Sequence, residues 1–123
     1  MLQIESMPDL NTYAYICGPM AKKANLNREA FEQAAEVIRR RNHVPVIPHE
    51  IPAVEHPGRE CPTYYGYRAG QSGHDPGCFL RGDIAVMVKC HYIYRLEGWE
   101  DSVGATAETK IAEILKMTIE DAA

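Results

Sequence analysis

The sequence has no excess of basic residues. Its 123 residues carry 13 lysines and arginines against 17 aspartates and glutamates, a formal charge of -4. A protein that binds a phosphate backbone needs cations to displace counterions, so this balance argues against DNA or RNA as a partner. The basic run is short, Arg39-Arg40-Arg41. No apolar run approaches the length of a membrane span, and Met1 to Leu10 lacks the basic-then-apolar order of a signal peptide. A cytoplasmic protein with no membrane partner is therefore expected. Cysteine is limited to Cys17, Cys61, Cys78 and Cys90, which without a secretory signal read as free thiols or metal ligands rather than disulfides. Cys17 and Cys90 lie in apolar runs and read as buried thiols.

Several motifs are missing as well. There is no phosphate loop ending in Gly-Lys-Ser/Thr, no Gly-x-Gly-x-x-Gly after the first strand-like segment, no zinc-deaminase signature and no Gly-x-Ser-x-Gly elbow. His56 with Cys61, and His74 with Cys78, could supply two His and two Cys to a tetrahedral zinc, but their spacing matches no standard finger.

What is present is a chain with 46% apolar and 24% charged residues, ordinary for one globular domain spanning 1–123. Thr12 to Cys17 is rich in aromatic and β-branched residues and stops at Gly18-Pro19, the pattern of a buried strand. A helix follows, capped by Asn25 or Asn27, with Phe31, Ala34, Ala35 and Ile38 on one face. Arg39 to Arg41 fall in its last turn, where cations complement the dipole at a solvated end. Val44 to Pro48 reads as a short strand that its prolines place near a sheet edge. Residues 49–77 show no sustained period and form an irregular excursion, of a length that in a compact domain is usually functional or disordered. Phe79 to Lys89 reads as a helix, His91 to Leu96 as a strand, about Gly104 to Met117 as a helix, and Thr118-Ile119 as the start of a last strand. This β-α-β-loop-α-β-α-β order implies a parallel sheet with helices on its faces.

Two carboxylates stand out. On the last helix, Gly104, Glu108, Ile111, Ala112 and Leu115 share one face, which sets Glu108 within an otherwise apolar or small stripe. An unpaired carboxylate is costly to bury, so two readings are open. Either Glu108 is held there for chemistry, its ionised form favoured by the helix start, or it reaches solvent or pairs with Arg81 or Lys89. On the preceding helix, Leu80, Ile84, Met87 and Val88 define the apolar face, and Asp83 lies at its margin beside Gly82, which weakens a helix by about 1 kcal/mol relative to alanine. Asp83 is either a surface residue or the second carboxylate that glycosidic cleavage requires, exchanging a proton with the leaving group. Ser102 can cap the last helix, and Gly104 leaves its first N–H groups approachable. Together they serve as an anion site or simply as a cap with a packing glycine.

Tyr15-Ile16-Cys17-Gly18-Pro19-Met20 and Gly98-Trp99-Glu100-Asp101-Ser102-Val103-Gly104-Ala105-Thr106-Ala107-Glu108 resemble the two motifs of small bacterial and phage proteins in the nucleoside 2-deoxyribosyltransferase superfamily. The similarity runs over about residues 12 to 117 and is weakest over 49 to 77. It implies a flavodoxin-like three-layer α/β fold with a short parallel sheet of four to five strands. It also implies cleavage of an N-glycosidic bond by a glutamate nucleophile, which matches Glu108, with Asp83 matching the aspartate that assists the departing base. Tyr15, Gly18, Pro19 and Met20 match the segment that lines the nucleotide. Ser102 with Gly104 matches the phosphate-contacting pattern of the nucleoside 5′-monophosphate N-glycosidases, where transferases acting on free nucleosides carry an aspartate. After Gly-Pro-Met, however, Ala21-Lys22-Lys23 replaces the glycine-rich stretch of those glycosidases.

The resulting expectation is hydrolysis of a nucleoside 5′-monophosphate to free base and sugar phosphate, with no cofactor and no metal, by a homo-oligomer. Two alternatives remain at this point: a base-exchanging deoxyribosyltransferase, and a nucleotide-binding protein without catalysis.

Overall fold

The computed structural model describes residues 12–20, 23–51 and 76–123. Among these residues four strands and three helices alternate: β1 (Tyr13–Cys17), α1 (Arg28–Arg40), β2 (Val44–Val46), α2 (Pro76–Met87), β3 (Tyr92–Arg95), α3 (Val103–Ile114) and β4 (Thr118–Asp121). All strand pairs are parallel, in the order β2-β1-β3-β4. The fold is α/β with helices on both faces of the sheet, consistent with the flavodoxin-like three-layer arrangement.

Side chains alternate across the strands and divide the core in two. Ala14 and Ile16 of β1 join Tyr92 and Tyr94 of β3 beneath α1, where they meet Phe31, Ala34, Ala35 and Ile38. This helical face is the one expected from its period, and burying Phe31 and Ile38 contributes roughly 1.5–3 kcal/mol each. On the other face, Tyr15 and Cys17 join Ile93, Met87 of α2, and Ala105 and Ala112 of α3. Glu108 belongs to this second layer, because α3 turns it inward together with Thr109.

Several local expectations need correction. Neither Asn25 nor Asn27 caps α1 through its side chain; Asn27 instead donates from Nδ2 to the Pro19 carbonyl at 2.9 Å, tying the helix start to the end of β1. The arginine run is not uniformly solvated. Arg39 and Arg40 lie beside Glu36 in the open, but Arg41 reaches back to Glu120 of β4 with two bonds of 2.9 and 2.6 Å, and donates to the Tyr92 hydroxyl. The buried stripe of α3 is Ala105, Glu108, Thr109 and Ala112, whereas Leu115, the residue that caps the helix after Ile114, is 51% exposed. At the end of α2, Met87 is buried, but Val88, just past the helix, is exposed.

Reversal of strand order between β1 and β3 creates a switch point: the chain leaves β1 towards β2 over one face and leaves β3 towards β4 over the other. Ligands of open α/β sheets bind at the carboxyl edge of such a point. Here the two strand ends are drawn tightly together. Leu96 donates its N–H to the Cys17 carbonyl at 2.8 Å, and a Cβ on Gly18 would fall 2.8 Å from the Leu96 Cβ.

Candidate functional site

At this edge the second layer gathers its polar groups. Tyr15 is fully buried and donates its phenolic proton to Glu108 Oε2 at 2.7 Å. Glu108 itself is 4% exposed. Its partner is thus a phenol rather than a base, and neither Arg81 nor Lys89 is paired with it among the described residues. Burial raises the Glu108 pKa, and the Tyr15 and Cys17 hydrogen bonds pull it partly back. This corrects the expectation that the helix start would hold Glu108 ionised. Glu108 is the sixth residue of α3, and dipole stabilisation fades beyond the first turn.

Asp83 faces the same site from α2. Burial first, then the Glu108 charge, push its pKa up to about 7. No hydrogen bond to Asp83 offsets these among the described residues. The two carboxylates therefore differ in kind. Burial favours the neutral acid of both, but Glu108 has the Tyr15 donor drawing it back towards the anion, while Asp83 has a like charge that adds to the effect of burial.

Ser102 caps α3 as expected, its Oγ accepting from the Ala105 N–H at 3.1 Å. A Cβ on Gly104 would meet only Leu80 Cδ1 at 3.7 Å and Ser102 Oγ at 4.0 Å, so the glycine leaves ordinary room rather than relieving a clash. Gly18 is different: its missing Cβ lets β1 and β3 close, which is a packing requirement. Pro19 is buried beside Gly98, whose φ of +86° turns the chain after β3. Met20 packs against the α1 layer, away from the face that carries Glu108.

Thus Tyr15, Asp83 and Glu108 converge on one face, Ser102 and Gly104 stand at the start of the helix that carries Glu108, and Met20 is set apart. His56, Cys61 and His74 lie outside the described residues. Cys78 is buried in α2, and no group of three or more candidate metal ligands occurs among the described residues.

A family model described as a domain of unknown function, DUF4406, matches residues 12–121. The chain belongs to the DUF4406 family. The matched stretch opens just before β1 and closes at the end of β4, so the DUF4406 domain takes in the whole sheet and every residue of this site. A comparison with curated proteins finds no match.

Two features of the DUF4406 site escaped the sequence patterns. Arg95, at the end of β3, lies with its guanidinium 4.0 Å from the Trp99 ring centroid and pairs with Asp121 at 2.6 Å, fixing the loop that leads to Ser102. Only the adjacency of an arginine to the Gly-Trp motif hinted at this. The second is Cys17, whose thiol faces α3 at 3.6 Å from the Ala105 carbonyl. A cysteine in an apolar strand carries no outward signal of such a neighbour. A separate cavity of about 570 Å³ opens beside α1, with Lys23, Gln33, Tyr94 and Glu97 in its wall; Glu108 is not part of it.

Proposed function

We propose that this protein cleaves the N-glycosidic bond of a nucleoside 5′-monophosphate. The observation that carries the reading is the unequal pair: Glu108, oriented by the Tyr15 phenol, beside Asp83 with its pKa near 7. Glycosidic cleavage needs one carboxylate to attack the sugar carbon and one acid to protonate the departing group. Resemblance of the two motifs to the nucleoside 2-deoxyribosyltransferase superfamily supports the same assignment.

In this reading Glu108 attacks C1′. The bond from C1′ to the base nitrogen breaks, an ester bond forms between C1′ and a Glu108 oxygen, and the Asp83 proton passes to the base. Water then attacks C1′, its proton returns to Asp83, and Glu108 leaves as a carboxylate. Ser102 and the N–H groups around Gly104 hold the phosphate, with the helix dipole adding to their pull. The Ser102 hydroxyl can donate to a phosphate oxygen while its oxygen still accepts from Ala105. A homo-oligomer fits this reading too, since a four-stranded sheet is lean and Val103, beside Ser102, is 86% exposed.

A second reading is favoured by one observation, the 4% exposure of Glu108. A carboxylate so enclosed suits a protein that binds a nucleotide without cleaving it. Incubation with a panel of nucleoside 5′-monophosphates separates the two: free base supports cleavage, whereas thermal stabilisation by a nucleotide recovered intact supports binding alone. An added second base appearing in a new nucleoside would instead identify base exchange.

A further inference from the structure

At the carboxyl edge of the sheet, Cys17, Arg95 and Asp121 stand side by side in the register of β1, β3 and β4. Tyr15 and Ile93, two residues earlier in β1 and β3, face α3, so Arg95 leaves the sheet on that same face, the one that carries Glu108. Its side chain is 14% exposed and is committed on two sides. Nε and Nη2 donate to Asp121 Oδ1 and Oδ2 at 2.6 and 3.0 Å, and Cζ stands 4.0 Å over the centre of the Trp99 ring, which packs against the same core layer.

Trp99 opens the short turn that ends in Ser102. Its N–H donates to the Leu96 carbonyl at 3.2 Å, the Asp101 N–H closes onto the Gly98 carbonyl at 3.0 Å, and the Trp99 carbonyl accepts the Ser102 N–H at 3.1 Å. Ser102 then caps α3 through Ala105. Where Ser102 stands is thus set by Trp99, and where Trp99 stands is set by Arg95. We propose that Arg95 is a positioning residue, held by Asp121, that fixes Ser102 where a 5′-phosphate is bound and so sets the preference for nucleoside 5′-monophosphates over free nucleosides. The inference rests on reading Ser102 as the phosphate contact.

Arg95 acts here through its shape. Its charge is already paired with Asp121, and the donors that face Asp121 are in use. A lysine keeps the charge and the stem, but it has neither a planar group to lie over Trp99 nor a fork to engage both Asp121 oxygens. Donors already fixed in place bind a phosphate without first having to be ordered, so loosening this turn weakens binding even though Ser102 itself is retained.

Trp99 is the single tryptophan of the chain, so its fluorescence reports this turn alone. The test titrates inorganic phosphate at constant ionic strength into the wild type, Arg95→Lys and Asp121→Ala, with Trp99 emission as the signal. Alongside, kcat and KM are measured for the nucleoside 5′-monophosphate cleaved fastest and for the nucleoside lacking its phosphate. Arg95→Lys is expected to weaken phosphate binding about three- to tenfold and to lower the ratio of kcat/KM for the monophosphate to kcat/KM for the nucleoside by a similar factor, through KM rather than kcat. Asp121→Ala should act in the same direction. Phosphate binding by Arg95→Lys equal to the wild type overturns the proposal, as does a fall in both reactions that leaves their ratio unchanged, or a wild type whose Trp99 emission does not respond to phosphate. Should Arg95→Lys not fold, Asp121→Ala decides alone: Asp121 is 61% exposed, so its truncation leaves no enclosed gap, and unaltered phosphate binding there contradicts the clamp. If no nucleotide yields base with the wild type but phosphate binding falls in both variants, the role of Arg95 stands and the glycosidase reading fails.

Discussion

The Tyr15 phenol donates to Glu108 at 2.7 Å inside the core, joining residues 93 positions apart. Tyr15 is fully buried, so water cannot replace this donor. Removing it in Tyr15→Phe leaves an enclosed carboxylate short of a partner. We expect base release to fall about ten- to hundredfold, and stability to drop by about 1–3 kcal/mol, the range for a lost hydrogen bond to a charged group. The acid limb of the rate profile should move to higher pH, which a purely steric defect would not do. Rates across pH and denaturant unfolding check both.

Asp83 makes a prediction about pH and stability. Its pKa rises in the fold from 3.8 to about 7, so its contribution is fully present below pH 4 and is lost as pH rises through about 7. The wild type should therefore lose stability relative to Asp83→Asn between pH 5 and 8, read as the difference in Tm at the two ends. The same deprotonation removes the proton donor, so base release should decline above about pH 7. A Tm difference that does not change with pH would show that Asp83 is not held neutral.

Gly18 offers a packing test. A Cβ there would meet Leu96 Cβ at 2.8 Å, closer than side-chain carbons approach. Gly18→Ala should cost about 1–3 kcal/mol by overpacking the junction of β1 and β3. Combining it with Leu96→Ala should cost less than the sum, because the second change removes most of the atoms the new methyl would strike. Chemical denaturation of the two single variants and the double variant measures the coupling.

Arg41 and Glu120 form a clasp between the end of α1 and the edge strand β4. The Arg41 hydrogen bond, stronger than the opposing effect of burial, holds Glu120 below the usual carboxylate range. A depressed carboxylate stabilises above its unfolded pKa and loses that contribution as pH falls, so the clasp should weaken on acidification below about pH 4. Both side chains are about one-third or more exposed, so solvent screens the pair. A double-mutant cycle with Arg41→Met and Glu120→Gln should give a coupling of about 1 kcal/mol at pH 7, smaller in high salt.

Local pattern made much of the architecture legible. Phe31, Ala34, Ala35 and Ile38 repeat at helical spacing, and all four are buried as that spacing implies. The prolines around Val46 placed β2 at an edge, where it lies. Glu108 stood out because a carboxylate interrupted an apolar stripe. What was not legible depends on partners distant in the chain. Arg41 looked like an ordinary helix end because Glu120 is 79 residues away, and nothing near Arg41 marks that pairing. The inward turn of Thr109 and the outward turn of Leu115 follow from how α3 rests on the sheet, which a helical wheel alone cannot orient. Cys17 resembled any core thiol until α3 was placed over it.

Glu108 is the point on which the functional proposal turns. The direct measurement is release of free base from nucleoside 5′-monophosphates by the wild type and by Glu108→Gln, which keeps the volume and a hydrogen-bonding partner for Tyr15. A carboxylate nucleophile predicts base release by the wild type and its loss by at least about a thousandfold in the variant. Undiminished release by Glu108→Gln, or nucleotides recovered intact after incubation with the wild type, would contradict it.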